Sequence, residues 1–277
     1  MSDQIVKIAG SLIQHGPFND RVYLMKLATD DFEYLPSIIE EIAQENNYSK
    51  IFSKIPASAQ EYFLSRSHIE EAHIPGFFNG DEDASFMAKY LSQARMQETN
   101  SQENSSVLKA AISKFNVSKD VGLSDDEQFI VCSETDAPQM ADLYRQVFPS
   151  YPFPISDASY LLKTMSEDFV YFGIKKNGKL VAVSSCEMDI SNSNVEMTDF
   201  ATVPESRGKG YSYYLLGEME DHMRGIGIKT AYSIARARSY GMNTVFSRHS
   251  YIHAGTLVNN TNISGGIESM NIWYKKL

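Results

Sequence analysis

Cysteine is almost missing from this 277-residue chain, which has two, Cys132 and Cys186. They lie far apart in apolar, strand-like runs, so neither a disulfide framework nor a thiolate metal site can be built from them. Each reads as a buried, inert thiol. Positive charge is also short: 25 Lys and Arg stand against 35 Asp and Glu, a net −10. Phosphate backbones need a basic patch, so nucleic acid is not expected as a partner. No stretch approaches the roughly 18 apolar residues of a membrane span. The opening MSDQIVKIAG has no basic segment followed by an apolar one, so a cytoplasmic protein is expected. There is no GxxxxGK, and no strand opens a domain ahead of a dinucleotide fingerprint. His249 and His253 are four apart across an expected helix end and the other histidines are isolated, so no metal site is expected.

The remaining composition, 43% apolar and 22% charged, is that of an ordinary globular protein. The length suits one large domain or two small ones. Residues 96–106, MQETNSQENSS, carry almost no aliphatic surface and form the least foldable segment. A short amphipathic helix, VLKAAISKF, follows. A boundary is placed here: an N-terminal α/β unit over 1–95, a polar linker with a short helix over 96–126, and a second unit over 127–277.

In the second unit, QFIVCS reads as a strand and residues 137–148 as a helix with Asp136 as N-cap. Asp157 caps ASYLLKTM. Asn177-Gly178 turns a hairpin, and NVEMTDFATV is another strand. After VPESRGKG comes a helix with Tyr211, Leu215 and Met219 on one stripe. TAYSIA, residues 242–249 and a final pair around Gly265-Gly266 complete the order β-α-α-β-β-β-α-β-α-β-β. The class is α/β (α+β), with a mixed, mostly antiparallel sheet flanked by helices. In the first unit, strands are expected over 6–13 and 21–27, a helix over 34–45, then strand, helix and strand through IEEAHI. FLSRSHIEEA (63–72) echoes FSRHSYIHAG (246–255), which suggests that the first unit is a degenerate copy of half of the second.

VPESRGKGYS joins a strand to a helix. A helix N-terminus offers unpaired N–H groups and a positive dipole end, and glycine lets backbone come close to a ligand. Arg207, Gly208, Lys209, Gly210, Tyr211 and Ser212 could hold a pyrophosphate. A plain turn with two surface cations is the alternative.

The pattern Arg207, Gly210, Ser212 after the fourth strand resembles the acetyl-CoA loop of the GNAT N-acetyltransferases, with serine at the last position instead of glycine or alanine. YPFPI, YFGI, EMTDFATVPESRGKG, IARA, GMN, NNTNISG and ESMNIWYK, with SLIQHGPFNDRVYLMKL and IPGFFNGDE, are similar to the β-lysine N-acetyltransferase family over nearly the whole chain. The resemblance implies a GNAT fold, acetyl-CoA as cosubstrate, β-lysine as acceptor through its terminal amine, and a product that serves as an osmoprotectant. It implies acetyl-CoA contacts from Ala201, Thr202, Val203, the loop residues, Asn243 and Phe246. It also implies Glu196 as base.

An alkylammonium titrates near 10.4, so at pH 7 only about one molecule in a few thousand is a free amine, and direct transfer needs a proton acceptor. Glu196 is favoured and Asp199 is second, as base or ammonium anchor. On a regular strand these two point to opposite faces, and a bulge could re-aim them. Phe246 occupies the family's usual tyrosine position and cannot donate a proton; Tyr251 is one substitute. For the acceptor, Glu187, Asp189, Asp199 and Glu268 could meet ammonium groups, Tyr151, Phe153 and Trp273 could wall the pocket, and Asn259, Asn260 and Asn271 could orient it. A homodimer is left open.

Overall fold

The computed structural model describes residues 3–277. β1 (Gln4–Ile8), β2 (Ser11–Gly16) and β3 (Arg21–Lys26) form an antiparallel meander. α1 (Leu35–Glu45) crosses to β4 (Lys50–Pro56), which lies parallel to β3. Leu35, Ile39 and Ala43 form the buried stripe that docks α1. α2 (Gln60–Leu64) leads to the hairpin β5 (Ile69–Phe78) and β6 (Glu82–Tyr90). α3 (Gln93–Met96) and α4 (Ser101–Ile112) connect to β7 (Glu127–Val131), α5 (Ala137–Val147), α6 (Ala158–Met165), β8 (Phe169–Lys176), β9 (Lys179–Asp189) and β10 (Asn194–Thr202). α7 (Tyr211–Gly225), β11 (Thr230–Arg236), α8 (Tyr240–Arg248), β12 (Ile252–Ile263) and β13 (Gly266–Lys276) complete the chain.

Among the described residues thirteen strands join one sheet, in the order β1-β2-β3-β4-β6-β5-β12-β13-β11-β10-β9-β8-β7. That order repeats itself. β1-β2-β3-β4-β6-β5 has the connectivity of β8-β9-β10-β11-β13-β12, with β3/β4 and β10/β11 as the parallel pairs and α1 and α7 as their crossovers. The two copies meet where β5 and β12 pair antiparallel at Ala72 and Gly255. These two residues occupy the same place in the paired sequences noted above, each nine positions past its phenylalanine, Phe63 or Phe246.

The second half follows the expected element order, because its signals are local. Asn177 and Gly178 both take positive φ, 49° and 77°, as the two-residue hairpin turn requires. Tyr211, Leu215 and Met219 are all buried beneath α7.

The first half differs. The strand expected over 6–13 is two strands turned at Ala9 and Gly10, and β6 was not anticipated at all. α4 begins within the segment expected to be least foldable: Asn104 is buried and bonds Glu98, and Leu108 and Ala111 join the core beside α8. Asp136 is the N-cap residue of α5 as expected, but its side chain makes no capping bond to that helix. Ser133 and Asp136 form a reciprocal box one turn earlier.

Candidate active site

The cleft begins where the sheet comes apart. β10 and β11 pair only over Asn194–Glu196 and Thr230–Tyr232, although both strands run on. Beyond Glu196 their facing edges have no ladder partners, and a cavity of about 1190 Å³ opens between them. Thr198, Asp199, Phe200 and Thr202 line one side and Ser233–Arg236 the other.

β10 is bulged at the mouth of this opening. From the pair Thr198–Ser185 to the pair Ala201–Val183 it takes three steps while β9 takes two. Asp199 sits in the bulge at φ 55°. The extra residue lets Glu196 and Asp199 line the same cavity, although they are three apart.

Burial and charge then distinguish the carboxylates. Glu187 is the cross-strand partner of Glu196. Burial, then the neighbouring Glu187, pushes the Glu196 carboxyl up, with Lys54 and Tyr232 pulling it back. Burial raises Glu187 as well, against the pull of Lys54. The Lys54 ammonium donates to the Tyr232 hydroxyl at 2.8 Å. Burial raises Asp199 too, but its oxygens are occupied: Tyr151 donates to Oδ1 at 2.5 Å and Ser185 to Oδ2 at 2.6 Å. Glu196 therefore keeps capacity for a ligand proton that Asp199 has largely committed. Neither thiol is available as a nucleophile: Cys186 is buried, and burial pushes Cys132 up to about 12.

At the other end of the cleft, Gly208 and Gly210 take φ of 83° and 90°, and Gly210 is the N-cap of the fifteen-residue α7 with no side chain capping it. The first N–H groups of that helix lack intrahelical partners. Arg207 lies alongside, and the Lys119 ammonium stands 3.1 Å from where a Gly210 Cβ would be. Val121 packs over Gly210 while Gly208 faces open space, and the helix dipole with two cations favours a phosphate-bearing group there.

Residues 137–242 match the model of the acetyltransferase (GNAT) family. The chain is 42% identical to the β-lysine N6-acetyltransferase of Methanococcus maripaludis, over 99% of this chain and 98% of that one. The chain belongs to the β-lysine N6-acetyltransferase family. It is also 30% identical to the N-acetyltransferase YodP of Bacillus subtilis over 96% of both chains. Among solved structures, an N-acetyltransferase from Staphylococcus aureus Mu50 aligns with a TM-score of 0.48 at 15% identity, over 55% of this chain and 99% of that one.

GNAT acetyltransferases use acetyl-CoA, and the cradle at α7 fits its pyrophosphate. In this β-lysine N6-acetyltransferase family member, Thr202, Arg207, Gly208, Gly210, Tyr211, Ser212 and Phe246 line the cavity, as do Tyr151, Phe153, Glu187 and Asn260. Others expected at the site lie elsewhere. The Ala201 and Val203 side chains pack with α5, while their neighbours Phe200 and Thr202 line the cavity. Lys209 reaches away to Glu127 at 3.3 Å.

Asn243 is fully buried and its amide is spent internally. It donates to the carbonyls of Arg236 and Ser239 at 2.9 and 2.8 Å, and it accepts from Asn271 at 2.8 Å and Trp273 at 2.9 Å. The same network removes Asn271 and Trp273 from the pocket wall. Glu268 grips Arg236 through two bonds of 2.7 and 2.9 Å, and it is Arg236 that lines the cavity. Tyr251 lies in the core beyond Phe246, with ring centroids 5.2 Å apart, so it is not placed to protonate a leaving thiolate.

Reasoning from sequence missed Lys119 and the whole contribution of the first half: Arg21, Tyr23, Phe52 and Lys54 all line the cavity. Replacing Arg207 and Lys119 together by Gln is expected to raise the KM for acetyl-CoA about fivefold to tenfold and to flatten its salt dependence, since both are solvent-facing cations. Initial-rate kinetics at two ionic strengths test this.

Proposed function

We propose that this protein transfers the acetyl group of acetyl-CoA directly to the terminal amine of β-lysine, with Glu196 as the proton acceptor. The observation that carries the reading is the bulged, splayed β10, which brings a buried glutamate into a cleft whose other end suits phosphate. Agreement with β-lysine N6-acetyltransferase along the full chain supports the choice of acceptor.

When bound, acetyl-CoA supplies an activated acyl carbonyl on a thiolate leaving group. The residues of this chain do the rest. Glu196, as carboxylate, takes a proton from the acceptor ammonium and frees the lone pair for attack. Unpaired backbone N–H groups along the open edge of β10 are positioned to steady charge on the carbonyl oxygen. Glu187 and Asp199 offer carboxyl oxygens to an ammonium, and Tyr151 and Phe153 wall the pocket. Acetylation removes one positive charge from an acceptor with two ammonium groups and one carboxylate. The product is net neutral, which suits a compatible solute accumulated in the cytoplasm. The division of the chain near residues 96–126 belongs to the same reading.

The test is CoA release with β-lysine, α-lysine, putrescine, spermidine and a lysine peptide. Strong preference for β-lysine is expected; preference for another amine would keep the chemistry and discard the solute role, and CoA binding without turnover on any amine would reduce the protein to a binding module.

The pH profile gives a second test. A neutral carboxyl cannot accept a proton, so activity is lost as pH falls through the Glu196 value. Because burial raises that value, the acid limb of kcat/KM should lie above the ordinary glutamate range near 4.3. Lys54→Met removes a cation that favours ionisation and should move the limb further toward alkaline pH.

A further inference from the structure

Three buried cations from the first half of the chain donate to three successive carbonyls of β12. Lys50 reaches Val258 O at 2.7 Å, Arg95 reaches Asn259 O at 2.6 Å, and Arg21 reaches Asn260 O at 2.5 Å. Two of the three have a carboxylate: Lys50 pairs with Glu71 at 2.8 Å and Arg95 with Asp20 at 3.4 Å. Arg21 forms no ion pair among the described residues. It is only 3% exposed and its Nε has no hydrogen-bond partner, yet it lines the cleft that holds Glu196. Its Nη1 is fixed by Asn260 O and by Thr261 Oγ1 at 3.0 Å, and its plane lies over the Tyr23 and Phe52 rings.

A buried guanidinium without a counter-ion is costly. Burial lowers it only to about 10, so it is charged at neutral pH. Nη1 is taken, Nε is left without a partner, and the residue lines the cavity; a guanidinium with donors to spare suits a carboxylate. Beside it, the Asn260 side-chain Oδ1 is also buried, also unpartnered, and also on the cavity wall. A free acceptor next to a free cation complements an ammonium next to a carboxylate.

We propose that Arg21 and Asn260 form a subsite for the amino-acid end of the acceptor, Arg21 taking the carboxylate and Asn260 the adjacent ammonium. This rests on the transfer function proposed above and extends it. Arg21, from the half of the chain that lacks the phosphate loop, joins Asn260 of the other half in substrate selection, and their grip on one end leaves the remote amine as the one free to meet Glu196. α1, the counterpart of α7, starts just after Asp30, Asp31 and Glu33, which would repel phosphate, so the first half is suited to this role and not to holding a second cosubstrate.

The experiment is calorimetric titration of the full-length protein with β-lysine and with its carboxamide, paired with steady-state kinetics on both. The free acid should bind about 100-fold more tightly than the amide. Arg21→Gln should raise KM for the acid about 100-fold, change kcat little, and leave the amide within about threefold. Equal binding of acid and amide to the unaltered protein would overturn the subsite, and this arm does not depend on how the variant folds. A variant that loses acid and amide activity equally would also overturn it, by making Arg21 merely structural. Selective binding of the acid without acetyl transfer would uphold the subsite and sink the proposed reaction instead.

Discussion

Glu196→Gln is expected to lower kcat by about 10³, within the range general-base removal produces, while acetyl-CoA binds within about twofold of its original affinity. The amide preserves shape and removes only the ability to take a proton, so the loss should fall on the chemical step, about 4 kcal/mol of barrier. The acid limb of the pH profile should vanish with it. Asp199→Asn makes the contrast. Both Asp199 oxygens already accept from hydroxyls, Tyr151 and Ser185, so that change disturbs the pocket wall and should act on the acceptor KM more than on kcat. Rapid-quench or stopped-flow single turnovers separate the chemical step from product release. A Glu196→Gln enzyme with an unchanged single-turnover rate would remove Glu196 as the base and return the role to Asp199 or to water.

How much of this could be read before folding depends on how local each signal is. The β8–β9 hairpin announces itself in Asn177-Gly178 and the α7 stripe in Tyr211, Leu215 and Met219, because turn geometry and helical period act over a few residues. β6 was missed although Asn79-Gly80, with φ of 54° and 81°, carries the same turn signal. The strand after it is central in the sheet and buried through Ala84–Ala88, so it shows no alternation of polar and apolar residues. Glu196 and Asp199 could be named but not put on one face, since a bulge is a property of pairing with β9. Asn243, Asn271 and Glu268 looked like pocket residues because their type suits binding. Only tertiary contacts show that their groups are spent on Arg236, Ser239 and one another. Arg21 and Lys54 lie well over a hundred positions from Glu196, and nothing in their local pattern points to it; the continuity of one sheet brings them there.

That continuity hangs on a close approach, which Gly255→Ala should break. A Cβ at Gly255 would stand 2.1 Å from the backbone oxygen of Glu71 and 2.6 Å from Ala72 Cα. Backbone cannot turn aside as a flexible side chain can, so β5 and β12 must part. We expect a cost of about 3 kcal/mol, in the range of overpacking in a filled core, read as a fall in Tm of roughly 6–12 °C. Gly225→Ala is the control: nothing lies within 4 Å of its Cβ, and at the end of α7 alanine should be neutral or slightly stabilising. The functional consequence should be one-sided. The acetyl-CoA cradle at α7 is built within the second half, whereas Arg21 reaches the cleft only by gripping Asn260 O across the joint. At a temperature where the variant is folded, its KM for β-lysine should rise several-fold while its KM for acetyl-CoA stays put. If both rise together, the two halves do not divide selection and cosubstrate binding between them.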